Sequence, residues 1–167
     1  MHDVSRQSFE QIVADNQSRV YSLALHYLRD PPTAEEISQD VFLQLFRDLP
    51  RIESSAHARW WLRRAVCHRC FDETRKRKHR PSLGLEAVPE PAALNRDVDP
   101  FLNDRLRRLI ADLPDHARMT MILRYQEDMD PAEIAEIMKV PVSTVKSQLH
   151  RSLAVLRGKL KKQEVCR

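Results

Sequence analysis

The chain has 167 residues, of which 42% are hydrophobic and 31% charged, so we expect a soluble folded protein of one ordinary domain or two small ones. No apolar run approaches the roughly 18–20 residues that span a bilayer, and the first residues lack the basic-then-apolar pattern of a secretion signal. Its two glycines, Gly84 and Gly158, argue against a glycine-rich phosphate loop, a dinucleotide fingerprint and glycine-turned β-hairpins. Three cysteines are too few for a disulfide scaffold, which predicts that the protein is located in the reducing cytoplasm.

The charged residues are segregated into blocks. Residues 51–80 carry 10 basic and 3 acidic side chains, and residues 141–167 carry 7 and 1. Residues 1–50, by contrast, carry 8 acidic and 4 basic side chains. One basic block alone is typical of a solvated helical face. Two basic blocks, each ending a separate helical unit, favour two sites for a polyanion.

In the first half of the chain, apolar residues recur at spacings of three and four, which predicts helices. A long first helix should end at Asp30-Pro31-Pro32, because proline cannot continue the helical hydrogen bonds. Thr33 and Glu36 match a capping box, which predicts that a second helix begins there and ends at Leu49-Pro50. The predicted core residues of these two helices are Phe9, Ile12, Val13, Val20, Leu23, Ala24, Tyr27 and Leu28, then Ile37, Val41, Phe42, Leu45 and Phe46.

A polar loop over residues 51–57 should lead into a third helix from about Ala58 to Arg77, with Trp61, Leu62, Ala65, Val66 and Phe71 in its core. Residues 79–99 lose this periodicity and gain prolines, which predicts a linker. A second helical unit then restarts at Asp99-Pro100, and Pro114 opens its next helix. The apolar residues of this stretch are Leu102, Leu106, Leu109, Ile110 and Leu113, then Met119, Ile122 and Leu123.

The stretch from Asp130 to Leu156 has the pattern of a helix-turn-helix. Asp130, Pro131 and Glu133 combine an N-cap, a proline at the first helical position and a capping-box glutamate. A short helix with Ile134, Ala135, Ile137 and Met138, a turn at 139–141 and a second helix over 142–160 follow. On the second helix Val145, Leu149, Leu153 and Leu156 should face inward, and polar side chains should face outward. This pattern is compatible with a plain helix-packing motif and with a recognition helix that enters the major groove of DNA. DNA binding is favoured by the basic tail of Arg157, Lys159, Lys161 and Lys162.

Two separate motifs resemble the sigma-70 family of bacterial sigma factors. The residues from Asp130 to Arg151 resemble its helix-turn-helix that reads the −35 promoter element. Residues 34–42, AEEISQDVF, resemble its polymerase-binding helix, and residues 61–72 resemble the helix that melts and reads the −10 element. Two domains with a short linker resemble the extracytoplasmic-function (ECF) subgroup. The resemblance implies an all-α chain, with region 2 over 1–78, a flexible linker over 79–99 and region 4 over 100–167.

The resemblance also implies roles for individual residues. It assigns −35 recognition to Thr144, Lys146, Ser147, Gln148, His150 and Arg151. It assigns −10 recognition to Trp60, Arg63, Arg64, His68, Arg69, Arg75 and Lys76, with Arg77 and Lys78 also expected along phosphates. It assigns polymerase binding to Glu35, Glu36, Gln39, Asp40 and Phe42. Without the resemblance, the composition of this segment would favour an ordinary solvated acidic face.

The implied partners are the core polymerase, through its β′ clamp helices and β flap, promoter DNA and an anti-sigma factor. No cofactor, membrane insertion or enzymatic chemistry is implied. Trp61 lies on the apolar stripe and should be core, whereas Trp60 lies off it and suits contact with an unpaired base.

The sequence departs from the family at four positions. Glycine is usual at Lys139 and Ser143, arginine is frequent at Gln148, and asparagine is frequent at His68. A lysine at 139 is expected to be strained if its φ is positive. The changes at Gln148 and His68 predict altered base preferences.

Cys67 and Cys70 share one helical face, which is compatible with a structural, zinc-binding or redox role. Two thiols do not close a tetrahedral zinc site, and His57, His79 and Cys166 are isolated, so a structural role is favoured.

Two other functions remain as alternatives. A stand-alone helix-turn-helix regulator with an N-terminal sensing domain would bind duplex promoter DNA tightly without polymerase. A nucleic-acid-processing enzyme would need clustered carboxylates or a His/Cys metal set, which the sequence does not display.

Overall fold

The computed structural model describes residues 2–80 and 100–166, with side chains from residue 8 and from residue 104 onward. These residues form seven α-helices and one short 3₁₀ turn, without a strand among them, which confirms the predicted all-α class. They fall into two compact units, one in each described range. Most of the predicted linker, residues 81–99, lies outside the described residues.

The first unit is a bundle of three helices, α1 (His2–Leu28), α2 (Pro31–Asp48) and α3 (Ser55–Lys78), with a 3₁₀ turn at Leu49–Arg51. Each helix packs against the other two. The core is apolar, as the three-and-four spacing predicts, because each helix turns one stripe inward. Its most deeply buried members are Leu23, Ala24, Tyr27, Ala34, Val41, Leu45, Ala58, Leu62, Val66, Cys67 and Cys70.

The second helix begins earlier than the sequence predicts, so the capping box at Thr33 and Glu36 is wrong. Asp30 is the N-cap, and its carboxylate accepts hydrogen bonds from the Thr33 backbone N–H at 3.3 Å and from the Thr33 hydroxyl at 2.8 Å. Pro31 occupies the first helical position, where the missing N–H costs no hydrogen bond and the fixed φ favours the helix. The two prolines therefore end α1 and also start α2.

Two further expectations in this unit are corrected. The third helix begins at Ser55 and not near Ala58, because the Ser54 hydroxyl caps it by accepting from the His57 N–H at 3.1 Å. Phe46 is 55% exposed and does not belong to the core of α2. The buried face of α2 is centred on Val41 and Leu45, and Phe46 lies about 100° further around the helix.

Arg77 ties the end of α3 to the start of α2. Its guanidinium pairs with Asp30 at 2.6 Å and with Glu73 at 3.3 Å, and it donates to the Thr33 hydroxyl at 3.1 Å. Burial acts to raise the pKa of Asp30, but the hydrogen bonds from Thr33 and the charge of Arg77 together hold it below its ordinary value. The expectation that Arg77 lies along a phosphate is thus corrected, since this side chain is committed to the fold.

We expect Arg77→Ala to lower the free energy of unfolding of the chain by about 2 kcal/mol, because it leaves the half-buried Asp30 carboxylate without its cation. Arg75→Ala is the matched control on the same helix. Within the described residues Arg75 pairs only with the exposed Asp72, so its loss should change the free energy of unfolding by less than about 0.5 kcal/mol. Urea titrations followed by circular dichroism measure both. Equal effects of the two substitutions would contradict a special role for Arg77.

The same network predicts a pH dependence. Because the folded-state pKa of Asp30 is depressed, the contribution of this carboxylate to stability is complete above the unfolded-state pKa of about 3.9 and is lost as the pH falls through the lower folded-state pKa.

The second unit contains α4 (Pro100–Ala111), α5 (Asp115–Tyr125), α6 (Pro131–Met138) and α7 (Val142–Val165). Pro114 precedes α5 as predicted. The core is formed by Leu109, Leu113, Met119, Met121, Ile122, Leu123, Met129, Ile134, Ala135, Ile137, Met138, Val145, Leu149 and Leu156. Helices α5 and α7 pack on each other, and each also packs on α4 and α6.

Candidate nucleic-acid interface

The two helices of the helix-turn-helix begin where the local sequence predicts, but the second helix, predicted over 142–160, extends to Val165. Asp130 caps α6 by accepting from the Glu133 N–H at 2.9 Å, and the Glu133 carboxylate accepts in return from the Asp130 N–H at 2.9 Å. Lys139 ends the helix with φ 55° and ψ 45°, which confirms the left-handed conformation suspected at this position. Pro141 then leads directly into α7. These caps fix where α7 starts and hence which of its side chains face outward.

We expect Lys139→Gly to stabilise the second unit by about 0.5–1 kcal/mol, because removing the Cβ relieves the left-handed strain and outweighs the extra chain entropy of glycine. Lys139→Ala is the control, since it removes the charge and keeps the Cβ, and it should give no gain. Thermal unfolding of the two variants measures the difference. A gain with alanine equal to that with glycine would show that charge, and not strain, matters here.

Helix α7 presents a polar outer face opposite a buried one. Val145, Leu149, Ser152 and Leu156 are buried, whereas Leu153, predicted to be core, is only half-buried. On the outer side, Lys146, Ser147, His150 and Arg151 are exposed, and Thr144 and Gln148 are half-buried. Six predicted −35 residues thus lie within two turns of one helix, with hydroxyl, imidazole and cationic groups that suit base edges and phosphates.

Gln148 differs from the other five in making a contact inside the unit. Its side-chain oxygen accepts a hydrogen bond at 2.8 Å from the hydroxyl of Thr120 on α5. Thr120 is completely buried.

In the first unit, the predicted −10 residues lie along α3. Arg64 lies over the indole of Trp60, with its guanidinium carbon 5.4 Å from the ring centroid. The ring centroids of His57 and Trp60 are 6.5 Å apart. Such an aromatic and guanidinium cluster offers flat surfaces for an unpaired base. Trp60 and Trp61 are both half-buried, as are Arg63 and His68. Trp61 is therefore less buried than the core position predicted for it.

The other α3 cations assigned to −10 recognition, Arg69, Arg75 and Lys76, are exposed. Lys76 is exposed, and Arg75 pairs with the neighbouring Asp72. Arg69 lies 3.8 Å from the Asp40 carboxylate and donates to the Gln44 side chain at 3.4 Å. Exposed pairs of this kind contribute little to stability, so these cations stay available for phosphates.

The predicted polymerase-binding residues lie on α2. Glu35, Glu36 and Gln39 are exposed, and Asp40 and Phe42 are half-buried. Sequence reasoning missed Leu43 and Phe46, which are 59% and 55% exposed on the same helix. Phe46 packs edge-on against Phe9 of α1 with ring centroids 5.1 Å apart. We call Glu35, Gln39, Phe42, Leu43 and Phe46 the α2 patch, and an exposed apolar centre of this kind is typical of an interaction surface.

Both cysteines of α3 belong to the core. Cys67 and Cys70 are buried and form no disulfide, and burial raises the pKa of the Cys70 thiol to about 12. A thiol so hard to ionise is a poor nucleophile and a poor metal ligand. Among the described residues, no group of three or more His, Cys, Asp or Glu side chains could hold a metal ion. Within the same residues, no helix has the length and apolar character to cross a membrane.

Comparison with known proteins matches both units to one family. The model described as Sigma-70 region 2 matches residues 12–80, and the model described as Sigma-70, region 4 matches residues 103–156. The ECF RNA polymerase sigma factor SigW of Bacillus subtilis is 27% identical over 92% of this chain and 89% of its own length. The RNA polymerase sigma factor SigV of the same organism is 25% identical over 92% of this chain and 91% of its own.

Solved structures agree in fold. The sigma factor RpoE of Bartonella quintana, in complex with the anti-sigma factor NepR, matches 93% of this chain and 98% of its own with a TM-score of 0.78 and 19% identity. CnrH, in complex with the cytosolic domain of CnrY, matches 94% of this chain and 90% of its own with a TM-score of 0.67 and 17% identity.

Proposed function

Because the chain belongs to the sigma-70 family, as an ECF RNA polymerase sigma factor that acts in transcription initiation, we propose a specific role for each unit. Residues 1–78 act as region 2, which binds core polymerase and opens and reads the −10 element. Residues 100–167 act as region 4, which reads the −35 element and contacts the β flap. Residues 79–99 link the two.

The observation that carries the −35 role is the outward face of α7. Five of the six assigned side chains have no hydrogen bond or ion pair within the described residues, so they are available to DNA. The exposed Arg157, Lys161 and Lys162 extend the same helix with cations, which predicts binding that weakens steeply with salt.

The −10 role rests on α3. Trp60 and Arg64 offer a stacking surface for an unpaired base, and Arg63, His68, Arg69, Arg75 and Lys76 supply polar and cationic groups along the helix. Stacking of an unpaired base on these side chains offsets the cost of unstacking it from the duplex, which is roughly a few kcal/mol.

The polymerase role is assigned to the acidic residues of α2 together with the α2 patch. Glu35, Glu36, Gln39 and Asp40 provide charge and hydrogen-bonding groups, which favour encounter with a basic partner surface. Leu43 and Phe46 provide the apolar area that a stable interface needs at its centre. The β′ clamp helices are the proposed partner.

A cytoplasmic location and control by an anti-sigma factor complete the proposal. RpoE and CnrH, which share this fold, are each seen in complex with such a protein or with a cytosolic domain of another protein. An anti-sigma factor that covered the α2 patch would block the polymerase surface. The core polymerase catalyses RNA synthesis, and no catalytic chemistry is assigned to this chain.

Binding of the isolated chain to duplex promoter DNA separates this function from a stand-alone regulator. We expect the chain alone to bind duplex DNA weakly at physiological salt and to discriminate promoters only after it has joined core polymerase. Fluorescence anisotropy with and without core polymerase measures this. Tight, sequence-specific binding by the chain alone would favour the regulator with a sensing domain.

A further inference from the structure

The hydrogen bond between Thr120 and Gln148 constrains what Gln148 can recognise. Thr120 is 0% exposed, and its hydroxyl donates to the Gln148 side-chain oxygen at 2.8 Å. A buried hydroxyl without a partner is costly, so this bond is expected to persist when α7 binds DNA. The carbonyl oxygen of Gln148 is therefore engaged from inside the protein.

The amide nitrogen of Gln148 is left as the outward group. Oxygen and nitrogen diverge from the same planar carbon, so an oxygen turned to α5 leaves two N–H donors on the other side. Among the described residues, this nitrogen has no hydrogen-bond partner. Gln148 follows Thr144 by four positions and precedes Arg151 by three, which places all three on one stripe of the outer half of α7.

These donors change the base that a glutamine reads. A free glutamine pairs with adenine through both amide groups, because its oxygen accepts from N6 and its nitrogen donates to N7. With the oxygen engaged, only donors remain, and guanine is the base whose major-groove edge offers two acceptors, N7 and O6. This argument rests on the proposed −35 role of α7.

We propose that Gln148 is a specificity-determining residue that favours guanine at one position of the −35 element, and that Thr120 is the positioning residue that sets this preference. Thr120 does not touch DNA itself. It acts by fixing the orientation of the amide.

The test is transcription by the reconstituted holoenzyme from a promoter library in which the −35 segment is randomised, with the products sequenced. Wild type should prefer guanine over adenine at one position. Thr120→Val, which keeps the shape and removes the hydroxyl, should reduce that ratio about tenfold at this position alone. Thr120→Ser, which keeps the hydroxyl, should retain it.

Gln148→Glu gives a second, independent outcome. A carboxylate offers one oxygen to Thr120 and a second oxygen to the groove, so the preference at that position should change from guanine to cytosine, whose N4 donates. An unchanged profile in both Thr120→Val and Gln148→Glu, or a uniform loss across all positions, would overturn the inference. If wild type itself selects no sequence in the −35 segment, the proposed role of α7 fails instead.

Discussion

Leu43→Glu is expected to weaken binding to core polymerase by at least about 30-fold, which corresponds to about 2 kcal/mol, because it places a charge at the apolar centre of the α2 patch. Leu43 is 59% exposed, so the fold should tolerate the change. Titration of labelled chain with core polymerase measures the affinity, and urea unfolding measures the stability.

Ser18→Glu is the matched control for Leu43→Glu. Ser18 is exposed on α1, and the substitution adds the same charge to the same unit outside the α2 patch. We expect its affinity for core polymerase to remain within about twofold of wild type, as for surface substitutions away from an interface centre. A comparable loss in both variants would point to general electrostatic repulsion and would remove Leu43 from the interface.

Arg151→Ala is expected to lower −35-dependent promoter use by about 10- to 100-fold while leaving core-polymerase binding intact. Arg151 is exposed on the outer face of α7, where a guanidinium can reach guanine or a phosphate, and loss of such a contact costs about 1–3 kcal/mol. Transcription from promoters with and without a −35 element measures the effect.

Lys162→Ala is the control on the same helix. Lys162 is exposed eleven residues later, about 16 Å along the axis, so its loss should lower affinity only modestly and equally for all sequences. Loss of core binding in Arg151→Ala would show that the roles of the two units are assigned wrongly.

Features specified by neighbouring residues could be predicted from the sequence. The cap at Asp130 and Glu133, the turn at Lys139 and the start of α7 involve residues that are close in the chain, and the structure has them where the sequence places them. The start of α2 shows the limit of this reasoning. Asp30 and Thr33 are both acceptable caps, and the choice depends on the two prolines, which fit the first turn of a helix as well as they end one.

Features that depend on distant residues could not be predicted. Arg77 reaches Asp30 across 47 positions, and Gln148 meets Thr120 across 28, so no local pattern signals either contact. Residue type alone places Arg77 along a phosphate, whereas the structure pairs it with Asp30. Gln148 keeps its proposed role toward DNA, but residue type does not reveal that Thr120 holds its side-chain oxygen. Phe46 illustrates a different error, since an apolar residue next to a buried stripe resembles core until the packing of the helices is known.

Promoter selection by the chain is tested by in vitro transcription with core polymerase over a library of genomic fragments, with and without the chain, followed by mapping of start sites. We expect the chain to add a discrete set of start sites that share two sequence elements upstream. Failure of the chain to bind core polymerase, or binding that leaves the start sites unchanged, would show that the chain does not select promoters.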